Sequence, residues 1–266
     1  MYFYEKKYMK KLILIAAVLE MVFVGCKKEE TKPSDSSSTS STPRISKEIS
    51  YYESNQVITD SSITTYTYDS KERLISTIVN HPTGFLASNI PWYSSTNYVY
   101  NSSNKITLHN YSSLNNIRDT IEYILDSKGL VIKYVLRKDF TDTLHITYSA
   151  DGFMKGYKIG DKTQDLNVEI KDDNIIKQDN LTFEYYLDKT STIRNINRGI
   201  NFLGKESKNL IQSEKYTQSN PDVFLKNSES TYTYQFDSKN RVIKSISTTL
   251  HTNGSNVKTT KYQYIN

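Results

Sequence analysis

The chain has 266 residues, 36% hydrophobic and 24% charged, and its net charge of +5 falls to +3 once residues 1 to 25, with four Lys and two Glu, are set aside. So slight an excess excludes an argument for nucleic acid, and a single Cys excludes a disulfide framework. With 22 Tyr, one Trp and abundant Ser, Thr and Asn, the composition points to short strands with polar faces; the roughly 220 residues beyond a leader and tether suffice for one domain with a real core.

The first element is that leader. Lys6, Lys7, Lys10 and Lys11 are positive, Leu12 to Val24 is an apolar stretch too short to span a bilayer, and Gly25 is a small residue directly before Cys26. The pattern predicts a secreted lipoprotein whose signal peptide, residues 1–25, is removed and whose Cys26 is lipidated. Lipidation also accounts for a lone thiol in an oxidising compartment. Glu20 inside the apolar run, and Phe23 in place of the usual leucine, depart from the pattern. Translation starts at Met1 or at Met9, whose following Lys10-Lys11 makes the more usual beginning. A lipoprotein cysteine carries more than one acyl chain, and at about 0.8 kcal/mol per buried methylene such an anchor is effectively permanent. Lys27-Lys28-Glu29-Glu30 resembles the lysine-plus-acidic signal that sends Bacteroidota lipoproteins to the outer face of the outer membrane. The resemblance implies a lipid-anchored, cell-surface protein.

Residues 26–45 follow as the lipidated cysteine and a tether. From Thr31 to Pro43 the chain reads TKPSDSSSTSSTP, with no aliphatic or aromatic side chain to offset the entropy of ordering. A coil of about 19 residues has an r.m.s. reach of roughly 24 Å, enough to clear a membrane surface and too little to cross an envelope.

Residues 46–266 form the predicted folded domain, and its content is a degenerate repeat. The best copies are Tyr66-Thr67-Tyr68-Asp69-Ser70-Lys71-Glu72-Arg73-Leu74 and Tyr234-Gln235-Phe236-Asp237-Ser238-Lys239-Asn240-Arg241-Val242. Others start at Tyr98, Tyr123 and Ile146; Val168 to Ile176 fits too, and Tyr185 to Ile193 only loosely. Each reads as a β-hairpin, with Asp or Asn opening a turn and Gly129, Gly152, Asn104, Asn174 or Asn240 supplying the left-handed residue. Glu72 breaks that rule, so its hairpin is expected to use a different turn.

Flanking segments alternate with period two, as in Leu181, Phe183, Tyr185 and Leu187 against Thr182, Glu184 and Asp188. This predicts an all-β fold: an antiparallel meander of hairpins forming a single curled sheet, or alternatively a closed barrel or a sandwich. A barrel crossing the outer membrane is not expected, because its strands need an apolar lipid-facing band. Asn195 to Leu210 breaks the alternation and carries Ile196, Ile200, Phe202 and Leu203, which predicts a short helix or loop near 195–210 packed on the concave face.

Tyr-x-Tyr-Asp-x-x-Gly-Arg-Leu is the signature of the tyrosine-aspartate repeats of Rhs-type shell proteins, and Tyr66 to Leu74 resembles it with Glu72 in place of Gly. Leader, tether and hairpins together resemble Bacteroidota surface lipoproteins built around a domain of unknown function. The resemblance implies a β-hairpin repeat fold and transfers no catalytic residue.

Chemistry-bearing motifs are few. His81, His109, His145 and His251 lack metal-ligand spacing, and the chain has no nucleophile elbow, phosphate loop or calcium loop. We therefore expect no enzyme activity, cofactor or metal. Trp92 and Tyr93, beside Pro91 in a break between strands, are either an aromatic platform for a sugar ring or partner, or part of the core. Asp119-Thr120-Ile121 and Asp142-Thr143-Leu144 resemble the Bacteroidota O-glycosylation acceptor, which makes Thr120 and Thr143 candidate modification sites. The expected function is a non-enzymatic, membrane-anchored cell-surface binding or scaffold module. The alternative is a glycan-binding accessory lipoprotein of an outer-membrane uptake system; in either case the partners are the membrane, through the lipid, and a glycan or surface protein.

Overall fold

The period-two alternation folds as strands throughout. The structure, a computed structural model, describes residues 42–54, 57–82, 91–136, 143–217, 227–251 and 254–265. Its strands are β1 (Ile45–Ser54), β2 (Val57–Tyr68), β3 (Leu74–His81), β4 (Trp92–Ser102), β5 (Lys105–Ser112), β6 (Ile117–Leu125), β7 (Val131–Leu136), β8 (Thr143–Tyr148) and β9 (Met154–Ile159). They continue with β10 (Lys162–Asp165), β11 (Val168–Lys171), β12 (Asn174–Gln178), β13 (Leu181–Thr190), β14 (Asn209–Tyr216), β15 (Ser228–Phe236), β16 (Val242–His251) and β17 (Gly254–Tyr264). All seventeen belong to one antiparallel sheet. Among the described residues the one helical element is a single 3-10 turn, Asn195–Arg198.

Neighbours in sequence pair in turn from β1 to β10 and again from β11 to β17, while β1 also pairs with β17. No described ladder joins β10 to β11, so the hydrogen-bonded circuit is unclosed. Its two end strands are nevertheless consecutive in the chain, separated by Leu166 and Asn167 alone. Laid flat, seventeen strands at about 4.8 Å would be roughly 80 Å wide, whereas a two-residue link spans about 10 Å. The sheet therefore curls through a full turn. At the seam Leu166 N–H donates to Lys155 O on the β9 side, and Asn167 exchanges bonds with Asp179 on the β12 side.

The turns show how the repeat works. Asp69 Oδ1 accepts from the N–H groups of Lys71 and Arg73, and Asp237 Oδ1 accepts from those of Lys239 and Arg241. Asp126 does the same for Lys128 and Leu130. The left-handed residue is Gly129, Gly152, Asn240 and also Glu72, at φ 59°. The expectation of a different turn at Glu72 was wrong: the three hydrogen bonds that fix the Asp69 turn, two to the carboxylate and Glu72 N–H to Asp69 O, outweigh the Cβ penalty. Asn104 and Asn174 are not left-handed. In the Lys171 to Asn174 hairpin Asp172 and Asp173 take positive φ instead, and Asn174 is the first residue of β12, bonded to Asn209. Tyr185 to Ile193 is not a hairpin, because the chain leaves the sheet after Thr190.

The second tyrosine of the repeat has a defined task. Ladders between hairpins end two or three residues short of the turns, at Ser76 with Asn97, Lys133 with His145, Lys244 with Lys261 and Lys47 with Thr65. Beyond that point Tyr68, Tyr100, Tyr148 and Tyr264 donate their hydroxyls to the carbonyls of Ile45, Leu74, Val131 and Val242, the first residues of the neighbouring strands. Arg73 and Arg241, held by Asp69 and Asp237 through Nε at 2.8 and 2.7 Å, lie over the rings of Tyr100 and Tyr264. The four acceptor residues are fully or almost fully buried, and each contributes about 1.5–3 kcal/mol by its burial.

Tyr264→Phe leaves the buried Val242 carbonyl without its 2.9 Å donor. We expect a loss of about 1–3 kcal/mol, a melting temperature lower by roughly 3–10 °C, and little change for Tyr51→Phe on the outer face; calorimetry of the two variants checks this.

Candidate functional site

Between β13 and β14 the chain turns inward and fills the end of the ring that carries the turns. This segment, residues 191–208, acts as a plug. Its stem is closed by Ser191 N–H to Lys208 O. From there it touches hairpin after hairpin: Thr192 Oγ1 accepts from Val242 N, Phe202 O from Val131 N, and Ser207 Oγ from Ile175 N. Lys205 N–H donates to Gly152 O and Lys208 N–H to Asp173 O. On the β1 side Arg44 donates to Ile196 O, Asn197 to Pro43 O, and Arg198 Nε meets Glu48 Oε1 at 2.7 Å. The expected packing of 195–210 on the concave face is thus observed, with Phe202, Leu203 and Leu210 buried in the core.

Two glycines permit this close fit. Gly199 ends the 3-10 turn at φ 71°, and a Cβ there would lie 2.8 Å from Tyr68 Cε1. At Gly204, φ 95°, a Cβ would lie 2.5 Å from Tyr148 Cε1. Only glycine satisfies both the left-handed backbone and the contact.

The plug does not fill the whole end. Between it and β12 to β15 lies a cavity of about 380 Å³. Its walls are largely apolar, with Ile175, Leu181, Phe183 and Ile211 from the sheet, Ile193 from the plug and Leu210 at the junction. Arg194, Glu206, Gln178 and Glu214 add polar groups. Glu206 is only 4% exposed; its Oε2 accepts from Asn195 N–H at 2.6 Å, and its Oε1 has no partner among the described residues. Burial pushes the Glu206 carboxyl well above the usual carboxylate range, against the opposing pull of Arg198, the Asn195 N–H and Arg194. Arg194 Nε is also buried without a partner. Glu214 is raised by burial as well, its Oε2 accepting from Tyr232 OH at 3.2 Å.

The residues singled out from sequence lie elsewhere. Trp92 and Tyr93 are adjacent in β4 and face opposite sides of the sheet, so they do not share one platform. Trp92 stacks on His81 at 3.9 Å with 8° between the rings, and Tyr93 packs near Tyr111 at 5.5 Å, with Arg118 over Tyr111. Thr120 sits within β6, its hydroxyl 3.4 Å from His109 Nδ1, and Thr143 opens β8. Cys26, His251's side chain and Asp142 lie outside the described residues. No group of three or more metal-ligating side chains occurs among the described residues. Arg194 and Glu206 were missed. The available signal was an acid and a base set within the one stretch that abandons alternation, where burial is dictated by the surrounding ring.

Two outcomes test this geometry. Gly204→Ala forces Tyr148 aside and strains the backbone, so the plug loosens at a cost of at least about 2 kcal/mol, read as faster limited proteolysis within 191–208. Because Glu206 has its proton affinity raised by folding, its contribution is complete below the ordinary carboxylate range and is lost as pH rises through the raised folded value. Glu206→Gln therefore matches the parent in melting temperature near pH 4 and exceeds it toward pH 9; a series of melts across that range checks the sign.

No known protein family matches the sequence, and no curated protein matches it. The fold is similar to that in the crystal structure of a porin-like protein from Bacteroides uniformis, with a TM-score of 0.57 at 15% identity over 83% of this chain and 96% of that one. At that identity the likeness speaks for the curled β-sheet architecture alone.

Proposed function

We propose that this is a lipid-anchored outer-membrane protein that displays its β-ring on a tether at the cell surface and acts as a non-enzymatic binding module. Association with the outer membrane is supported by the likeness to a porin-like Bacteroides protein and by the leader ending at Cys26. The observation that carries the binding role is the pocket beside the plug, where a stitched and plugged scaffold leaves buried polar groups unpartnered among apolar walls.

The ring stands outside the hydrocarbon on this reading. Exposed positions alternating with the inward tyrosines are Glu229, Thr231, Thr233 and Gln235 on β15, Lys261 and Gln263 on β17, His145 and Thr147 on β8, and Thr65 and Thr67 on β2. A bilayer-spanning strand needs an apolar outward band there. Anchoring then falls to Cys26, and the stretch between it and Pro43, where contacts with the plug begin, sets the distance from the surface.

Protease shaving of intact cells, blotted beside a periplasmic control, tests the placement. We expect loss of this protein while the control survives, and Cys26→Ala is expected to move the protein from the membrane to the soluble fraction. Protection from protease on intact cells would discard the surface assignment in favour of a periplasmic envelope role.

A further inference from the structure

We propose that the pocket between the plug and β12 to β15 takes a carboxylate that carries an apolar body, with Arg194 and Glu206 holding the carboxylate and the apolar walls holding the body. This deepens the binding-module reading and rests on it. Three features of the pocket select that chemistry. The first is the open hydrogen-bonding capacity. Arg194 Nε is a buried donor with no acceptor, and a guanidinium is charged at every accessible pH. Arg198, the other guanidinium on the pocket, is already occupied by Glu48 and Ile193 O. An anionic acceptor is therefore what Arg194 lacks.

The second feature is Glu206. One of its oxygens is committed as an acceptor to Asn195 N–H, and the other is buried and open. Burial raises the carboxyl above the usual carboxylate range against the pull of Arg198, the Asn195 N–H and Arg194, and in the neutral form the proton resides on the oxygen that does not accept from Asn195. In that form Glu206 Oε1 presents an O–H. With Glu206 neutral, Arg194 Nε and Glu206 Oε1 are both donors, and a carboxylate offers two acceptor oxygens to match them. An ammonium ligand beside Arg194 would meet a like charge and further donors, and Glu214, the other carboxyl of the pocket, already accepts from Tyr232 OH.

The third feature is the wall. Ile175, Leu181, Phe183, Ile193, Leu210 and Ile211 line the cavity. Aliphatic walls favour a hydrocarbon body over a polyhydroxylated one, whose hydroxyls would lose their water without replacement. At about 30 Å³ for a water-sized group, a cavity of about 380 Å³ holds roughly a dozen heavy atoms.

Phenylbutyrate has this size and is soluble, and phenylbutanol and phenylbutylamine differ from it only at the head. Isothermal titration of the three into the mature lipoprotein in nanodiscs, with empty nanodiscs subtracted, is the test. The carboxylate is expected to bind about tenfold or more tighter than the alcohol and the amine. Arg194→Gln is expected to weaken it by about tenfold to a hundredfold, while Glu206→Gln, which keeps a neutral donor, retains binding and melts as a folded protein. Equal or tighter binding of the alcohol or the amine overturns the proposal, as does no binding of any of the three. Undiminished carboxylate binding in Arg194→Gln, confirmed as folded by its melt, overturns it too. Protease shaving reads the surface assignment separately, so failure here leaves that result intact.

Discussion

The constraint on which this structure depends is the fate of backbone polar groups where a curled sheet runs out of ladder. Seventeen strands bent through a full turn run into their hairpins, and the pairing between hairpins stops before the turns are reached. The first residues of the returning strands, Leu74, Val131 and Val242, are nonetheless buried. A buried carbonyl or N–H without a partner costs about 1–3 kcal/mol, so several such positions together would consume much of the stability of a domain. Two devices remove that cost. Tyrosine hydroxyls reach across from the next strand to the carbonyls, and the plug supplies acceptors to the N–H groups of Val131 and Val242. The hairpins and the plug are therefore parts of one hydrogen-bonding solution.

The same solution explains why the plug is polar where it is. A segment that must meet backbone groups at Pro43, Val131, Gly152, Asp173, Ile175 and Val242 cannot be uniformly apolar, and it brings Thr192, Arg198, Lys205 and Ser207 into the interior. Each of these finds its partner. Glu206 and Arg194 do so only in part. Native interiors seldom leave buried polar atoms open, and here the two residues that carry these atoms line a cavity whose other walls belong largely to the strands facing the plug.

Much of the architecture was legible in the sequence, because it is written in local chemistry. Asp69 and Asp237 announce turns through hydrogen bonds to residues two and four later, and alternation such as Tyr232, Tyr234 and Phe236 against Thr231, Thr233 and Gln235 announces half-buried strands. Glu72 misled because residue type was weighed alone; its turn is determined by Asp69, two bonds to whose carboxylate offset a strained backbone. The seam at Leu166 and Asn167 leaves no local signature, since strands on either side of it look like any others. Trp92 drew attention as the sole tryptophan, yet strand parity separates it from Tyr93. Arg194 and Glu206 were illegible for a different reason: their burial comes from a ring built by residues far away in sequence, and no local pattern encodes it.

The interior is graded along the ring, and that grading accounts for where a site is able to exist. Large side chains, Leu74, Val131, Phe153, Phe202 and Val242, gather at the plugged end. Farther from the turns the inward positions shrink to hydroxyls, with Ser50 on Thr260 and Ser230 on Thr249, each at 2.9 Å, and exposed Val57, Ile58 and Leu250 lie near the opposite rim. The hydrogen bonds between hairpins and plug are concentrated at the plugged end, and a site is held best by side chains so supported. Within that end, the four tyrosine bonds to Ile45, Leu74, Val131 and Val242 use no residue that lines the pocket. Two pocket walls do make the same kind of bond, Tyr185 to Ile175 O and Tyr234 to Ile211 O, so the freedom to vary without loosening the stitching lies with the side chains of Ile175, Leu181, Phe183 and Ile211.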